Sequence, residues 1–200
     1  MDYRFTNPIV MPRGTHYGND YWIFASAKTK KRQVAYSLLE FYNLLSLEMN
    51  ALVEFYCPQP VTAEVKDDLG DTRKVTFDVY VVYKDGVEEM QEVKYTSDLS
   101  DENEKSLRTK EQIRFERIWA EEHGMNFVVR TEKDIMYNRF VIPNLQYLYS
   151  FVKRFQDPQF EELREKVLYF LHDHKYHKID DIARNIVRVG RKTPQSVGRK

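Results

Sequence analysis

Two β-runs closed by a tight turn leave the middle of this chain little conformational freedom. They are KVTFDVYVVY over 74–83 and MQEVKY over 90–95, with Lys84-Asp85-Gly86 between them. Val, Tyr, Phe and Thr in alternation predict strands, and Asp-Gly between such runs predicts a hairpin. Asp78 interrupts the first run, where aspartate is depleted. An edge or turn position would explain it simply, whereas its apolar flanks argue for a central strand. Alternation places Asp78 on the face of Thr76, Tyr80 and Val82. Glu92 and Lys94, two apart, share one face of the return strand.

The turn decides whether these groups meet. A two-residue Asp85-Gly86 loop pairs Asp78 with Val93 and leaves the carboxylates on opposite faces. A three-residue loop with Gly86 at positive φ pairs Tyr83 with Val87 and sets Asp78 opposite Glu92. Only that second register, or an equivalent bulge, builds a metal site, and it is the one expected here.

Upstream, a helix is expected from about Lys31 to Met49, with Val34, Leu38, Tyr42, Leu45 and Met49 as its stripe. Glu40 lies on this largely apolar helix. A buried, ionised carboxylate without a partner costs several kcal/mol, so either an arginine or a metal ion is expected beside it. Residues 1–30 read as an ordered arm without periodicity. LVEFYC, ending at Cys57, and VTAEV at 61–65 read as strands. A helix from about Glu104 to His123 is closed by Gly124. The strand NFVVR at 126–130 follows, and then a short helix capped by Thr131 with Asp134. One crossover helix between the return strand and NFVVR makes the sheet mixed. The resulting organisation is an arm at 1–30, an α/β domain at 31–142 and a helical region at 143–200 with a basic tail.

Composition narrows the class. Apolar residues make up 42% of the 200, so a packed core is expected. The single cysteine excludes an internal disulfide framework and a cysteine-based zinc site. The opening MDYRFTNPIV lacks the layout of a secretory signal and no apolar run is long enough to span a bilayer, which points to the cytoplasm. The net charge of zero hides segregation. Residues 1–40 carry six basic against three acidic side chains, 85–104 one against eight, and 175–200 eight against two. Basic ends suit a polyanion such as DNA, although solvated faces would look the same.

Aspartate followed about fourteen residues later by Glu-x-Lys on a paired strand is the arrangement of the PD-(D/E)xK nucleases. Hard carboxylate oxygens suit Mg²⁺, which polarises a phosphate and acidifies a bound water. A neighbouring lysine orients that water or stabilises charge on the phosphate. The segments SLLEFYNLLSLEMNALVEFYCPQP, VTFDVYVVYKDG, MQEVKY, ERIWAEEHGMNFVVRTEKDI and LQYLYSF resemble, in order, those of the TnsA endonuclease family of bacterial heteromeric transposases. Phe77 stands where the superfamily's naming proline would be. The resemblance implies a restriction-endonuclease-like fold, and the last 45 residues read from their own pattern as a small helical, winged-helix-remnant C-terminal part. It implies Glu40, Asp78, Glu92 and Lys94 as catalytic residues, and Glu40, Asp78, Glu92 and Val93 as the metal site for Mg²⁺, with Mn²⁺ able to substitute. It further implies hydrolysis of the non-transferred strand at the transposon 5′ ends, with a TnsB-like DDE transposase and a TnsC-like AAA+ ATPase as partners; the lack of a long apolar run separately predicts no membrane association. A restriction or repair nuclease of the same superfamily, or a non-catalytic DNA-binding protein, are the alternatives.

Candidate DNA contacts are Lys30 and Lys31 near the start of the Glu40 helix, Lys110 and Arg114 on the crossover helix, and Arg191 and Lys192 in the tail. Glu111, Glu116 and Glu121 offer the helix arginines intrahelical partners instead. His172, His174 and His177 read as solvated helix-end residues more readily than as a zinc site.

Overall fold

The computed structural model describes residues 2–9, 21–67, 69–100 and 104–154. Its elements run β1 (Trp22–Ala25), β2 (Arg32–Ala35), α1 (Leu38–Met49), β3 (Val53–Pro58), β4 (Thr62–Lys66), β5 (Thr72–Thr76), β6 (Val79–Tyr83) and β7 (Glu88–Val93). A 3₁₀ turn at Thr96–Leu99, α2 (Glu104–Glu122), β8 (Asn126–Arg130), α3 (Glu132–Ile135) and α4 (Val141–Arg154) follow.

The main sheet has the order β3-β6-β7-β8, antiparallel except for the β7–β8 pair, which is parallel across the α2 crossover. The mixed α/β class read from the sequence is therefore observed. Alternation along β6 divides the core. Val79 and Val81 pack toward α1 with Leu44, Leu47 and Tyr56, whereas Tyr80 and Val82 pack toward α2 with Phe115, Trp119 and Ala120. The result is a three-layer stack of helix, sheet and helix.

The hairpin adopts the three-residue loop. Tyr83 N–H donates to the Val87 carbonyl at 2.9 Å, Gly86 N–H donates to the Tyr83 carbonyl at 2.9 Å, and Gly86 has φ +86°. A side chain resists that left-handed conformation, so glycine sets the loop. The register that follows pairs Val79 with Gln91 and Tyr80 with Met90, and in the same frame Asp78 stands opposite Glu92.

Three expectations need correction. The helix does not begin at Lys31: residues 32–35 form β2, paired with β1 from the supposed arm, and α1 starts after the N-cap Ser37. The spacing of Val34 to Leu38 imitates a helical stripe, but Ser37-x-x-Glu40 is the stronger signal. Lys28, Lys30 and Lys31 consequently lie in the β1–β2 connection, not at a helix start. The run 74–83 is two strands rather than one, broken at Phe77–Asp78. Opposite the break lies Pro58-Gln59-Pro60, where Pro60 has no N–H to continue a ladder. The ribbon slips one residue there: Gln59 N–H donates to the Asp78 carbonyl at 2.8 Å, while Phe77 N–H donates to the Val61 carbonyl at 3.3 Å. Gln59 takes φ +39° at this bulge. Lastly, the helix expected beyond Pro143 already begins at Val141, and the first compact unit extends to Lys153. Ile142 packs with Leu39, Val93 and Ile135, and Tyr149 OH donates to the Ala25 carbonyl at 2.7 Å.

The expected ends of α2 and α3 are present. Gly124 has φ +68°, and Thr131 and Asp134 form a reciprocal capping box. Among the described residues, no helix is long and apolar enough to cross a membrane. The helices, winged-helix remnant, histidine cluster and basic tail expected beyond residue 154 fall outside the described residues.

Candidate active site

The β5–β6 break lies at one end of the main sheet. By the hairpin register, Val93 N–H would pair with the Phe77 carbonyl if β6 ran on. Phe77 N–H turns to Val61 instead, and Asp78 Oδ2 accepts Val93 N–H at 2.8 Å. Lys94 N–H, on the other edge of β7, still donates to the Arg130 carbonyl of β8 at 3.1 Å. The sheet thus splits between β5 and β7, and Asp78, Glu92 and Lys94 gather at the split. Val93 contributes its N–H to this arrangement, while its side chain is buried toward Leu39.

Glu40 reaches the same place from the opposite layer. It occupies the first turn of α1, where Ser37 Oγ accepts Glu40 N–H at 3.2 Å and Glu40 Oε2 accepts Tyr36 N–H at 3.0 Å. Gln59 Nε2 donates to the same Oε2 at 3.4 Å. Burial pushes the Glu40 carboxyl up to about 7, and the negative charge of Asp78 adds to the rise, while its hydrogen bonds to Tyr36 and Ser37 and the Lys94 charge oppose it. The four residues expected from the sequence are therefore neighbours in space.

Glu92 is 0% exposed. Its Oε1 accepts the Lys94 ammonium and, at 3.1 Å, Gln112 Nε2 from α2. Its Oε2 is buried and has no hydrogen-bond donor among the described residues. Burial, followed by Asp78 and Glu116, holds the Glu92 carboxyl well above the usual carboxylate range, and Lys94 pulls the other way. Burial would lower the Lys94 ammonium, but Asp78, Glu92 and Glu116 outweigh it and raise that group.

Two α2 residues that the sequence did not place at the site complete the cluster. Gln112 Nε2 also donates to Glu116 Oε1 at 2.7 Å, and Glu116 is 0% exposed. Burial, with Asp78 adding to it, pushes Glu116 up to about 8. Read along the helix, Glu116 had suggested a partner for nearby arginines. Instead it shares a face with Thr109, Trp119 and Ala120, all buried. That position on the inward stripe was the available signal.

Four carboxylates thus surround one ammonium. Among the described residues, no three His, Cys, Asp or Glu side chains are grouped so as to hold a metal ion. One oxygen each of Glu40, Asp78 and Glu92 is engaged by a donor of the protein itself. A hard divalent cation nevertheless fits the donor set, because Glu92 Oε2 is a buried, unpartnered carboxylate oxygen and the cluster carries excess negative charge.

The candidate DNA contacts are dispersed. Lys30 and Lys31 are exposed, and Lys31 Nζ donates to the Thr6 carbonyl and to Asn7 Oδ1, both at 2.8 Å. Lys110 is half-buried. Arg114 binds Asp67 Oδ2 at 2.6 Å and tethers the β4–β5 hairpin to α2. Glu111 likewise pairs with Arg73 of β5, not with an arginine of its own helix. Arg191 and Lys192 fall outside the described residues.

Residues 50–132 match the family described as TnsA-like endonuclease N terminal. The matched segment contains Asp78, Glu92, Lys94, Gln112 and Glu116, and Glu40 precedes it. No match was found among curated proteins.

Proposed function

We propose that this chain, whose residues 50–132 match the TnsA-like endonuclease N-terminal family, is the Mg²⁺-dependent nuclease of a Tn7-like transposition system and hydrolyses the non-transferred strand at the transposon 5′ ends. The observation that carries this reading is the convergence of Asp78, Glu92 and Lys94 at the split sheet edge, with Glu92 Oε2 lacking any donor among the described residues. Asp78 and Glu92 would hold the ion, with Glu40 across the split and Val93 beside them. Bound there, Mg²⁺ would supply Lewis acidity toward the scissile phosphate and a water of lowered pKa.

The chain's own groups prepare the site for that chemistry. Burial of Glu92 and the Lys94–Glu92 pair keep bulk water from competing for the carboxylate. Lys94, its ammonium held charged more firmly by Asp78, Glu92 and Glu116, would stabilise the charge that develops on the phosphate. Glu40, clamped by Tyr36 N–H, has little rotamer freedom left to lose on binding. A TnsB-like transposase acting on the 3′ ends and a TnsC-like ATPase would be the partners.

The lodging of Lys94 on Glu92 is the observation that favours a non-catalytic, DNA-binding protein instead. Strand-specific cleavage of a transposon-end duplex, with Mg²⁺ and with or without a partner transposase, separates the two. Nicking of the 5′ strand that is lost in Asp78→Ala and Lys94→Ala is expected. End binding with both strands intact under every condition overturns the nuclease reading.

A further inference from the structure

Glu92 and Glu116 are both wholly buried, and one amide donor serves both. Gln112 Nε2 reaches one oxygen of each, at 3.1 Å and 2.7 Å, so the carboxylates stand side by side under that amide. The second oxygen of each, Glu92 Oε2 and Glu116 Oε2, is buried with no hydrogen-bond partner among the described residues. Leaving one buried acceptor unmatched is costly, and leaving one on each of two carboxylates joined by a single donor is costlier still. Of the cations nearby, the Lys94 ammonium is committed to Glu92 Oε1, and the Arg73 guanidinium to Glu111. Within the described residues, neither orphaned oxygen is hydrogen-bonded by a cation of the protein itself.

The geometry points to Glu116 as a ligand of the divalent cation, sharing it with Glu92 through their two unpartnered oxygens. This rests on the nuclease reading and adds to it a helix-borne ligand. Mg²⁺ takes one or two carboxylates and completes its shell with water and phosphate oxygens, so a pair suffices where no group of three stands together among the described residues. Gln112 then acts as a positioning residue. By holding both Oε1 atoms, it leaves both Oε2 atoms without a protein donor and fixes the two carboxylates relative to each other before the ion arrives. Because α2 is the crossover between β7 and β8, the ion would tie that helix to the sheet edge carrying the motif.

The test is binding of Mn²⁺ to the full chain, followed by calorimetry and by the electron paramagnetic resonance of the ion, with no cleavage readout. Glu116→Gln preserves size and the acceptor for Gln112, and is expected to weaken Mn²⁺ binding at least about tenfold, with the metal-free protein folded. Glu116→Asp, which keeps the charge on a shorter stem, should recover part of the loss. Gln112→Ala should weaken binding less than Glu116→Gln does. If Asp78→Asn weakens Mn²⁺ binding and Glu116→Gln leaves it at the wild-type value, Glu116 is not a ligand and the proposal fails while the nuclease reading stands. If the wild-type chain binds no Mn²⁺ either alone or on a transposon-end duplex, both fail together. Should Glu116→Gln not fold, unchanged affinity in Glu116→Asp and Gln112→Ala together overturns the assignment.

Discussion

Asp78 Oδ2 accepts the backbone N–H of Val93 at 2.8 Å, in the slot that the Phe77 carbonyl would fill if β6 continued one residue further. One aspartate therefore serves two purposes: it closes a ladder position left open where the sheet splits, and it brings its negative charge to bear on Glu40, Glu92 and Glu116.

Substitutions of Asp78 should separate these purposes. Asp78→Asn keeps an acceptor for Val93 N–H and is expected to unfold close to wild type. Asp78→Ala orphans that N–H and should cost about 1–3 kcal/mol. Both should lose cleavage. Denaturant unfolding alongside a nicking assay checks the order, and equal stability of the two variants would show that the Val93 bond contributes nothing.

The cluster should make the metal-free protein acid-preferring. Glu40 sits at about 7 and Glu116 at about 8 in the fold, against 4.5 for an ordinary glutamate. Above that ordinary value the unfolded chain releases these protons while the folded chain retains them, so the folded state binds more protons. Stability is then fully present below about pH 4.5 and is lost as pH rises through 7 and 8. The loss amounts to at most about 8 kcal/mol for the two groups together, because each tenfold change in a proton-binding equilibrium corresponds to about 1.4 kcal/mol. Melting temperatures in chelator should fall from pH 5 to pH 8, and Mg²⁺ should reduce that fall. A flat or rising profile contradicts the buried-carboxylate account.

Ser37 should link helix capping to activity. Its hydroxyl caps α1 through Glu40 N–H, and the Glu40 side chain returns to Tyr36 N–H. Ser37→Ala is expected to cost about 1 kcal/mol. It should also reduce cleavage roughly tenfold by loosening Glu40, because misplacement of about 1 Å at a reacting centre costs up to about a hundredfold. Ser37→Asp, another good cap, should restore both stability and activity. Loss of stability without loss of activity would place Glu40 outside the reaction.

Much of this site could be read from sequence because its chemistry is local. Lys84-Asp85-Gly86 implied a hairpin, and the need for Asp78 and Glu92 to share a face chose the three-residue loop over the two-residue one. Gly124 and the Thr131-Asp134 box likewise marked their helix ends locally. What escaped was set by contacts distant in the chain. The break at Asp78 depends on prolines nearly twenty residues earlier. The inward turn of Glu116 depends on which face of α2 meets the sheet, and an exposed, paired glutamate would have had the same neighbours in sequence. Residues 32–35 could be mistaken for helix because four residues are too few to reveal their period.

The basic tail supplies a prediction that rests on sequence. Removing residues 188–200 deletes five basic side chains, Arg188, Arg191, Lys192, Arg199 and Lys200. If they contact DNA phosphates, the log–log salt dependence of binding should become shallower by up to about four units. A weaker affinity with an unchanged slope would assign the tail to a protein partner, and no change in either would leave it a solvated end.

The one-residue slip opposite Asp78 divides the chain into stretches that tolerate changes of length and stretches that do not. Between Asp67 and Asp71 the β4–β5 tip can be shortened or extended, because nothing beyond it counts register from there. Between Pro58 and Val61 a single deletion would restore an unbroken ladder, straighten the ribbon and close the split, leaving Val93 to a main-chain acceptor and Asp78 without its place. Among natural variants of this chain, insertions and deletions should therefore collect at the hairpin tip and be absent from the three residues that follow Pro58.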